Sequence, residues 1–134
     1  MSDTNDAVPA RVVVADDDAD IRALVAIAMR RAGIQLVADV ASGDEALIAI
    51  REYVPDIVIL DVSMPGMTGL DVTREIRADR ALDGIRVFLL SAGVTEAAIA
   101  AGKEAGADEY LIKPFSPREL ATRISEAMTA WGTE

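Results

Sequence analysis

Short β-branched runs alternate along the chain with stretches in which apolar residues recur every three or four positions. Arg11-Val12-Val13-Val14-Ala15 reads as a strand. Ile21, Leu24, Val25, Ala28, Met29 and Ala32 then form a helical stripe, with Gly33 as its expected C-cap. Ile34 to Val40 reads as a second strand. Ser42-Gly43-Asp44-Glu45 is a capping box, in which hydroxyl and carboxylate satisfy free backbone N–H groups at the start of a second helix. Pro55 ends that helix, and Ile57 to Leu60 gives a third strand. A helix near Gly69 to Ala78, a strand from Ile85 to Leu90 and an Ala-rich helix from Thr95 to Ala105, stopped by Gly106, follow. Glu109 to Ile112 is the fifth strand. Ser116-Pro117-Arg118-Glu119 is another capping box, its proline at N1 where a missing N–H costs nothing. The last helix carries Leu120, Ile124, Ala127, Met128 and Trp131.

Five β-α units with short connections imply a parallel sheet covered by helices on both faces, an α/β doubly wound (βα)5 fold. Right-handed crossovers leave few topologies, and the flavodoxin-like strand order 2-1-3-4-5 is the expected one. Residues 1–10 lack periodicity and read as a flexible N-terminal tail, 11–131 as one domain, and 132–134 as a C-terminal tail. A chain of 134 residues suits a single core. With 51% hydrophobic but only 4% aromatic residues, that core is built of Val, Ile, Leu and Ala.

Composition narrows the chemistry. The chain has no Cys and no His, which removes disulfides, thiol catalysis, histidine general bases and most zinc sites. Any metal must be hard and oxygen-bound. The formal net charge of -10 argues against binding a nucleic-acid backbone or an anionic membrane, because phosphate neutralisation needs a basic face. Met1-Ser2-Asp3-Thr4-Asn5-Asp6 is polar and acidic, unlike a signal peptide, and no apolar run is long enough to span a bilayer. A cytoplasmic location is expected.

The polar residues of interest fall at the C-terminal ends of predicted strands, where open α/β sheets place ligands. The first strand runs into Asp16-Asp17-Asp18, the third into Asp61, the fourth into Ser91-Ala92-Gly93 and the fifth into Lys113-Pro114. Each alone has an ordinary explanation: a helix N-cap for Asp18, a turn residue for Asp61 or Ser91, a surface lysine for Lys113. Together they supply what phosphoryl transfer to a carboxylate requires. Asp61 would attack phosphorus. Asp16, Asp17 and Asp61 offer oxygen ligands for Mg²⁺, which one or two carboxylates plus phosphate usually hold. Lys113 would neutralise a second phosphoryl oxygen as a point charge, and Ser91 would donate a hydrogen bond to a third.

These four features, with the stretch Asp61-Val62-Ser63-Met64-Pro65-Gly66-Met67-Thr68-Gly69, Ser91-Ala92 and Lys113-Pro114-Phe115, resemble the receiver domain of two-component response regulators, including the chemotaxis regulator. The resemblance covers about residues 11 to 131. It implies that Asp61 is the phosphoacceptor and that a histidine kinase or histidine phosphotransfer protein is the donor. It implies Mg²⁺ (Mn²⁺ in its place) on Asp16, Asp17, Asp61 and the backbone carbonyl of Ser63. Lys113 and Ser91 would contact the phosphoryl group, Ser91 and Tyr110 would form the switch, and the Lys113–Pro114 peptide would be cis. The face made by the fourth helix, fifth strand and fifth helix would change its affinity for a downstream protein, or phosphate would be relayed onward. Such a domain assists its own phosphorylation and dephosphorylation but is not a turnover enzyme. It works as a monomer or a weak, phosphorylation-dependent dimer. Ser91 stands where Thr is commoner, and Thr68 where an acid is common.

Three other classes compete. An interaction module of the same fold that never takes phosphate would usually lack one of the key residues, and none is missing. An aspartyl phosphatase needs a second Asp two residues after the nucleophile, and Ser63 stands there. A flavin carrier needs a phosphate-cradling loop after the first strand, where three aspartates would repel the cofactor. The short tails favour a stand-alone receiver over a piece of a larger regulator or hybrid kinase.

Overall fold

A computed structural model describes residues 9–93 and 95–131. The expected tails at 1–8 and 132–134 lie outside the described residues; Ala10, read as tail, accepts a hydrogen bond from the Gln35 N–H at 2.8 Å. The elements are β1 (Arg11–Ala15), α1 (Ala19–Ala32), β2 (Gln35–Val40), α2 (Gly43–Tyr53), β3 (Ile57–Asp61), α3 (Gly69–Ala78), β4 (Arg86–Ser91), α4 (Glu96–Ala105), β5 (Glu109–Ile112) and α5 (Pro117–Ala130). The five strands form one parallel sheet in the order β2-β1-β3-β4-β5.

Strand alternation sends successive side chains to opposite layers. On one face Val12, Val14, Ile57, Ile59, Phe88, Leu90 and Leu111 pack with Val25 and Met29 of α1 and with Leu120 and Ile124 of α5. On the other, Val13, Ala15, Val58, Leu60, Val87 and Leu89 pack with Ala46 and Ile50 of α2 and with Val72 and Ile76 of α3. All five residues of β3 are buried, which is why it reads as a continuous apolar run rather than an alternating one. Truncating a side chain such as Ile59 to Ala would cost about 2–5 kcal/mol.

The caps hold with local differences. Asp18 caps α1, its carboxylate accepting from the Asp20 N–H at 2.9 Å. Ser42 Oγ accepts from the Glu45 N–H at 3.2 Å, but Glu45 reaches one residue further out than in a regular box, to the Ala41 N–H at 3.1 Å. The box with both reciprocal bonds is one the sequence pattern did not suggest, Thr68 with Asp71 at the start of α3. α2 ends at Val54, whose left-handed backbone (φ 42°) turns the chain before Pro55. A β-branched residue rarely adopts that region, so Val54 is a strained helix end. A 3₁₀ turn at Arg80–Leu82, capped by Asp79, leaves no mark in the periodicity and moves the start of β4 to Arg86.

Candidate functional site

β3 delivers Asp61 to the C-terminal edge of the sheet, where it is 4% exposed. Two backbone bonds fix the chain beyond it: the Val62 N–H donates to the Leu90 carbonyl at 2.9 Å, and the Gly69 N–H returns to the Val62 carbonyl at 3.1 Å. That return is tight, because a Cβ at Gly69 would run into the Asp61 carbonyl oxygen. The Ser63 N–H donates to Asp61 Oδ1 at 3.3 Å, while the Ser63 side chain is exposed.

One strand over, Asp16 follows β1 and is fully buried. Its N–H donates to the Val40 carbonyl at 3.1 Å, and its Oδ1 accepts from the Asp18 N–H at 2.9 Å. Its Oδ2 accepts no hydrogen bond of regular geometry, and its near partner is the Lys113 ammonium at 2.8 Å. Lys113 is carried in by β5 and anchored through its own N–H, which donates to the Ser91 carbonyl at 2.8 Å; the Lys113–Pro114 peptide is cis. Its ammonium also lies 3.2 Å from Asp61 Oδ1. Asp17 is exposed at the rim, and one carboxylate oxygen each from Asp16, Asp17 and Asp61 lie within 4.8 Å of one another.

The electrostatics follow from that packing. Burial, then the Asp16 charge, pushes the Asp61 carboxyl above the usual carboxylate range, with Lys113 and the Ser63 N–H pulling the other way. For Lys113, burial favours the neutral amine, but the close contact and charge of Asp16, with the charge of Asp61, outweigh it and raise the ammonium's pKa. Lys113 pairs with two of the three clustered carboxylates, so the cluster holds excess negative charge. Hard oxygen donors, a buried carboxylate oxygen without a hydrogen bond and a rim acid open to solvent fit a hard divalent cation.

Ser91, 7% exposed, ends β4; its Oγ accepts from the Gly93 N–H at 3.0 Å. Tyr110 is not part of the carboxylate cluster. It pairs with Leu89 in the sheet, is partly buried, and its hydroxyl donates to the Gly93 carbonyl at 3.3 Å. Gly93 thus ties together the two residues named for the switch. Sequence reasoning missed Arg22, which donates to the Asp16 carbonyl at 2.7 Å and pairs with Asp39 at 2.6 Å. Only its position one turn into the helix after the acidic triplet hinted at this.

Residues 12–125 match the family model of the response regulator receiver domain, and the chain belongs to that family. The DNA-binding response regulator MtrA of Mycobacterium tuberculosis is 41% identical over 114 residues, which are 85% of this chain and 48% of MtrA. The chain therefore spans about half the length of the curated relatives it matches. Among solved structures, a LuxR-family DNA-binding response regulator from Staphylococcus aureus aligns with a TM-score of 0.80 at 32% identity, over 88% of this chain and 98% of that one. The chemotaxis response regulator CheY4 of Vibrio cholerae aligns with a TM-score of 0.83 at 29% identity, over 90% and 99%. Among the described residues, no helix is long and apolar enough to cross a membrane.

Proposed function

We propose that Asp61 accepts a phosphoryl group from the phosphohistidine of a histidine kinase or histidine phosphotransfer protein. A carboxylate oxygen of Asp61 forms a bond to phosphorus as the P–N bond breaks, and the departing imidazole nitrogen keeps the electron pair and takes up a proton. Asp16, Asp17, Asp61 and the Ser63 carbonyl would hold Mg²⁺ (or Mn²⁺), which when bound supplies positive charge for the phosphoryl oxygens. Lys113 keeps the nucleophile ionised and, once phosphate arrives, offers its ammonium to a phosphoryl oxygen. Ser91 donates its hydroxyl to another. The observation that carries this reading is the contact of one lysine with both buried acids, at 2.8 Å and 3.2 Å.

Phosphorylation adds roughly -1.5 to -2 charge and three acceptor oxygens at Asp61. Ser91 gives up the Gly93 N–H to reach them, the Gly93 carbonyl held by Tyr110 shifts with its loop, and the face of α4, β5 and α5 changes its affinity for a downstream protein. The chain is a phosphoacceptor in the cytoplasm rather than a turnover enzyme. MtrA is named as DNA-binding, but the net charge of -10 on this chain disfavours direct nucleic-acid contact, so the receiver acts through protein partners.

The test is phosphorylation by a small acyl-phosphate donor or a histidine kinase with Mg²⁺, read by mass spectrometry of the peptide holding Asp61. One added phosphoryl group, lost on hydroxylamine treatment and missing in Asp61→Asn, is expected. Equal labelling of Asp61→Asn would overturn the assignment.

A further inference from the structure

Each of the four polar atoms of Asp16 has a near partner, and at its carbonyl that partner is a guanidinium. The N–H goes to Val40, Oδ1 to the Asp18 N–H and Oδ2 to Lys113. The carbonyl oxygen instead accepts from a guanidinium, Arg22 Nη1 at 2.7 Å. Arg22 is fixed in turn from the other side, because its Nε lies 2.6 Å from Asp39 Oδ1 on β2. Asp39 precedes Val40, whose carbonyl takes the Asp16 N–H. β2 therefore grips Asp16 twice, once directly and once through Arg22. The loop so held carries Asp16 and Asp17, two of the three clustered acids.

We propose that Arg22, held by Asp39, is a positioning residue that fixes the Asp16–Asp17 loop in the shape that receives the cation; this rests on reading the acidic cluster as a metal site. Carboxylates crowded within 4.8 Å repel one another, so without a restraint the loop relieves the strain by opening, and the exposed Asp17 moves first. Arg22 opposes that at the main chain. Its planar fork satisfies two acceptors on different elements at once. Groups that orient metal ligands in this way typically change affinity by about 10–100-fold when removed. Lysine would keep the charge but not the fork, so charge and geometry can be separated.

The test is calorimetric titration of MgCl₂ into wild type, Arg22→Met, Arg22→Lys, Asp39→Asn and the double variant Arg22→Met/Asp39→Asn, each paired with a urea melt. Arg22→Met is expected to weaken Mg²⁺ binding about tenfold or more. Arg22→Lys should recover little of that. Asp39→Asn should lose less, and the double variant should be no worse than Arg22→Met alone. Arg77→Met is the control for mere destabilisation, since Arg77 also grips main-chain carbonyls (Gly106 and Ile85) but pairs with Asp108, at 2.8 Å, and with none of the clustered acids. It should melt earlier and bind Mg²⁺ normally. Unchanged affinity in both Arg22→Met and Asp39→Asn would overturn the proposal, as would full affinity in Arg22→Lys. Failure of the wild type to bind Mg²⁺ would overturn the metal reading and this proposal with it.

Discussion

The Lys113 ammonium lies 3.2 Å from the Asp61 carboxylate, and its side chain is only 18% exposed. The same nitrogen holds Asp16, so this one cation keeps two buried like charges together. Lys113→Met would remove it and leave both acids without compensation, which in buried pairs costs up to about 3–5 kcal/mol. The loss should shrink in an Asp61→Asn background, where one of the repelling charges is already gone. Urea denaturation of the two single variants and the double variant, without divalent metal, measures the coupling.

The pH dependence of the metal-free protein follows from the same cluster. Burial and Asp16 raise the Asp61 pKa above its ordinary 3.8, so the folded state holds that proton more tightly than the unfolded chain does. The resulting stabilisation is full below 3.8 and is lost as pH rises from there through the raised folded value. Lys113 acts at the other end: its pKa is raised above 10.5, so its contribution is full below 10.5 and lost as pH climbs through the folded value. Asp61→Asn should flatten the acidic segment and make the metal-free protein more stable at neutral pH. Urea midpoints across the acidic range check this, and an unchanged slope in Asp61→Asn would contradict it.

The fold was legible because strands and helices here are written in local periodicity. The unbroken apolar run Ile57–Leu60 marks a strand buried on both faces, and Gly33 and Gly106 mark helix ends by taking left-handed backbone. Asp16, Asp61, Ser91 and Lys113 were legible as a group because parallel strands carry their C-terminal ends to one edge. Arg22 with Asp39, and Arg77 with Asp108, were not, because a guanidinium choosing a partner across the fold leaves no periodic trace. Ser42 and Thr68 show the same limit at short range. Ser-x-x-Glu signals a box, whereas Thr68-x-x-Asp71, with a shorter acid, forms the box with both bonds made.

Asp108 is predicted to be the costliest polar substitution away from the carboxylate cluster. Its Oδ2 accepts from the Val87 N–H at 2.8 Å and from Arg77 Nη2 at 2.8 Å, with Arg86 3.6 Å from its other oxygen. Arg77 meanwhile donates to the Gly106 and Ile85 carbonyls, so α3, the start of β4 and the entry to β5 meet at one carboxylate. Asp108→Ala strips a main-chain N–H and a guanidinium of their acceptor and should cost about 2–4 kcal/mol. Asp108→Asn keeps one acceptor and should cost less. Thermal melts rank the two.

Thr68→Ala tests the entry to α3, the helix that begins where the loop after Asp61 ends. Thr68 Oγ1 accepts from the Asp71 N–H, and Asp71 Oδ2 accepts from the Thr68 N–H, both at 3.1 Å. Loss of the hydroxyl should cost about 1 kcal/mol. The Thr68 backbone and side-chain bonds hold the Asp71 carboxyl below its ordinary 3.8. Its contribution is therefore present above 3.8 and lost as pH falls through the depressed folded value, opposite in sign to Asp61. Thr68→Ala should move the Asp71 titration back toward 3.8 while leaving that of Asp61 in place, as side-chain carboxyl NMR shifts would record.

Magnesium should reverse the acidic cluster's effect on stability. A cation that binds the folded chain and not the unfolded one stabilises by about 2.7 kcal/mol at one hundred times its dissociation constant. Melting in millimolar MgCl₂ should therefore occur at a higher temperature than in EDTA. The gain should vanish in Asp16→Asn, because Asp16 is the fully buried acid whose Oδ2 has the lysine but no regular hydrogen bond. It should persist, reduced, in Asp17→Asn, where the lost oxygen sits at the exposed rim and water can replace it. A melting curve indifferent to Mg²⁺ in the wild type would mean that Lys113 alone satisfies the cluster.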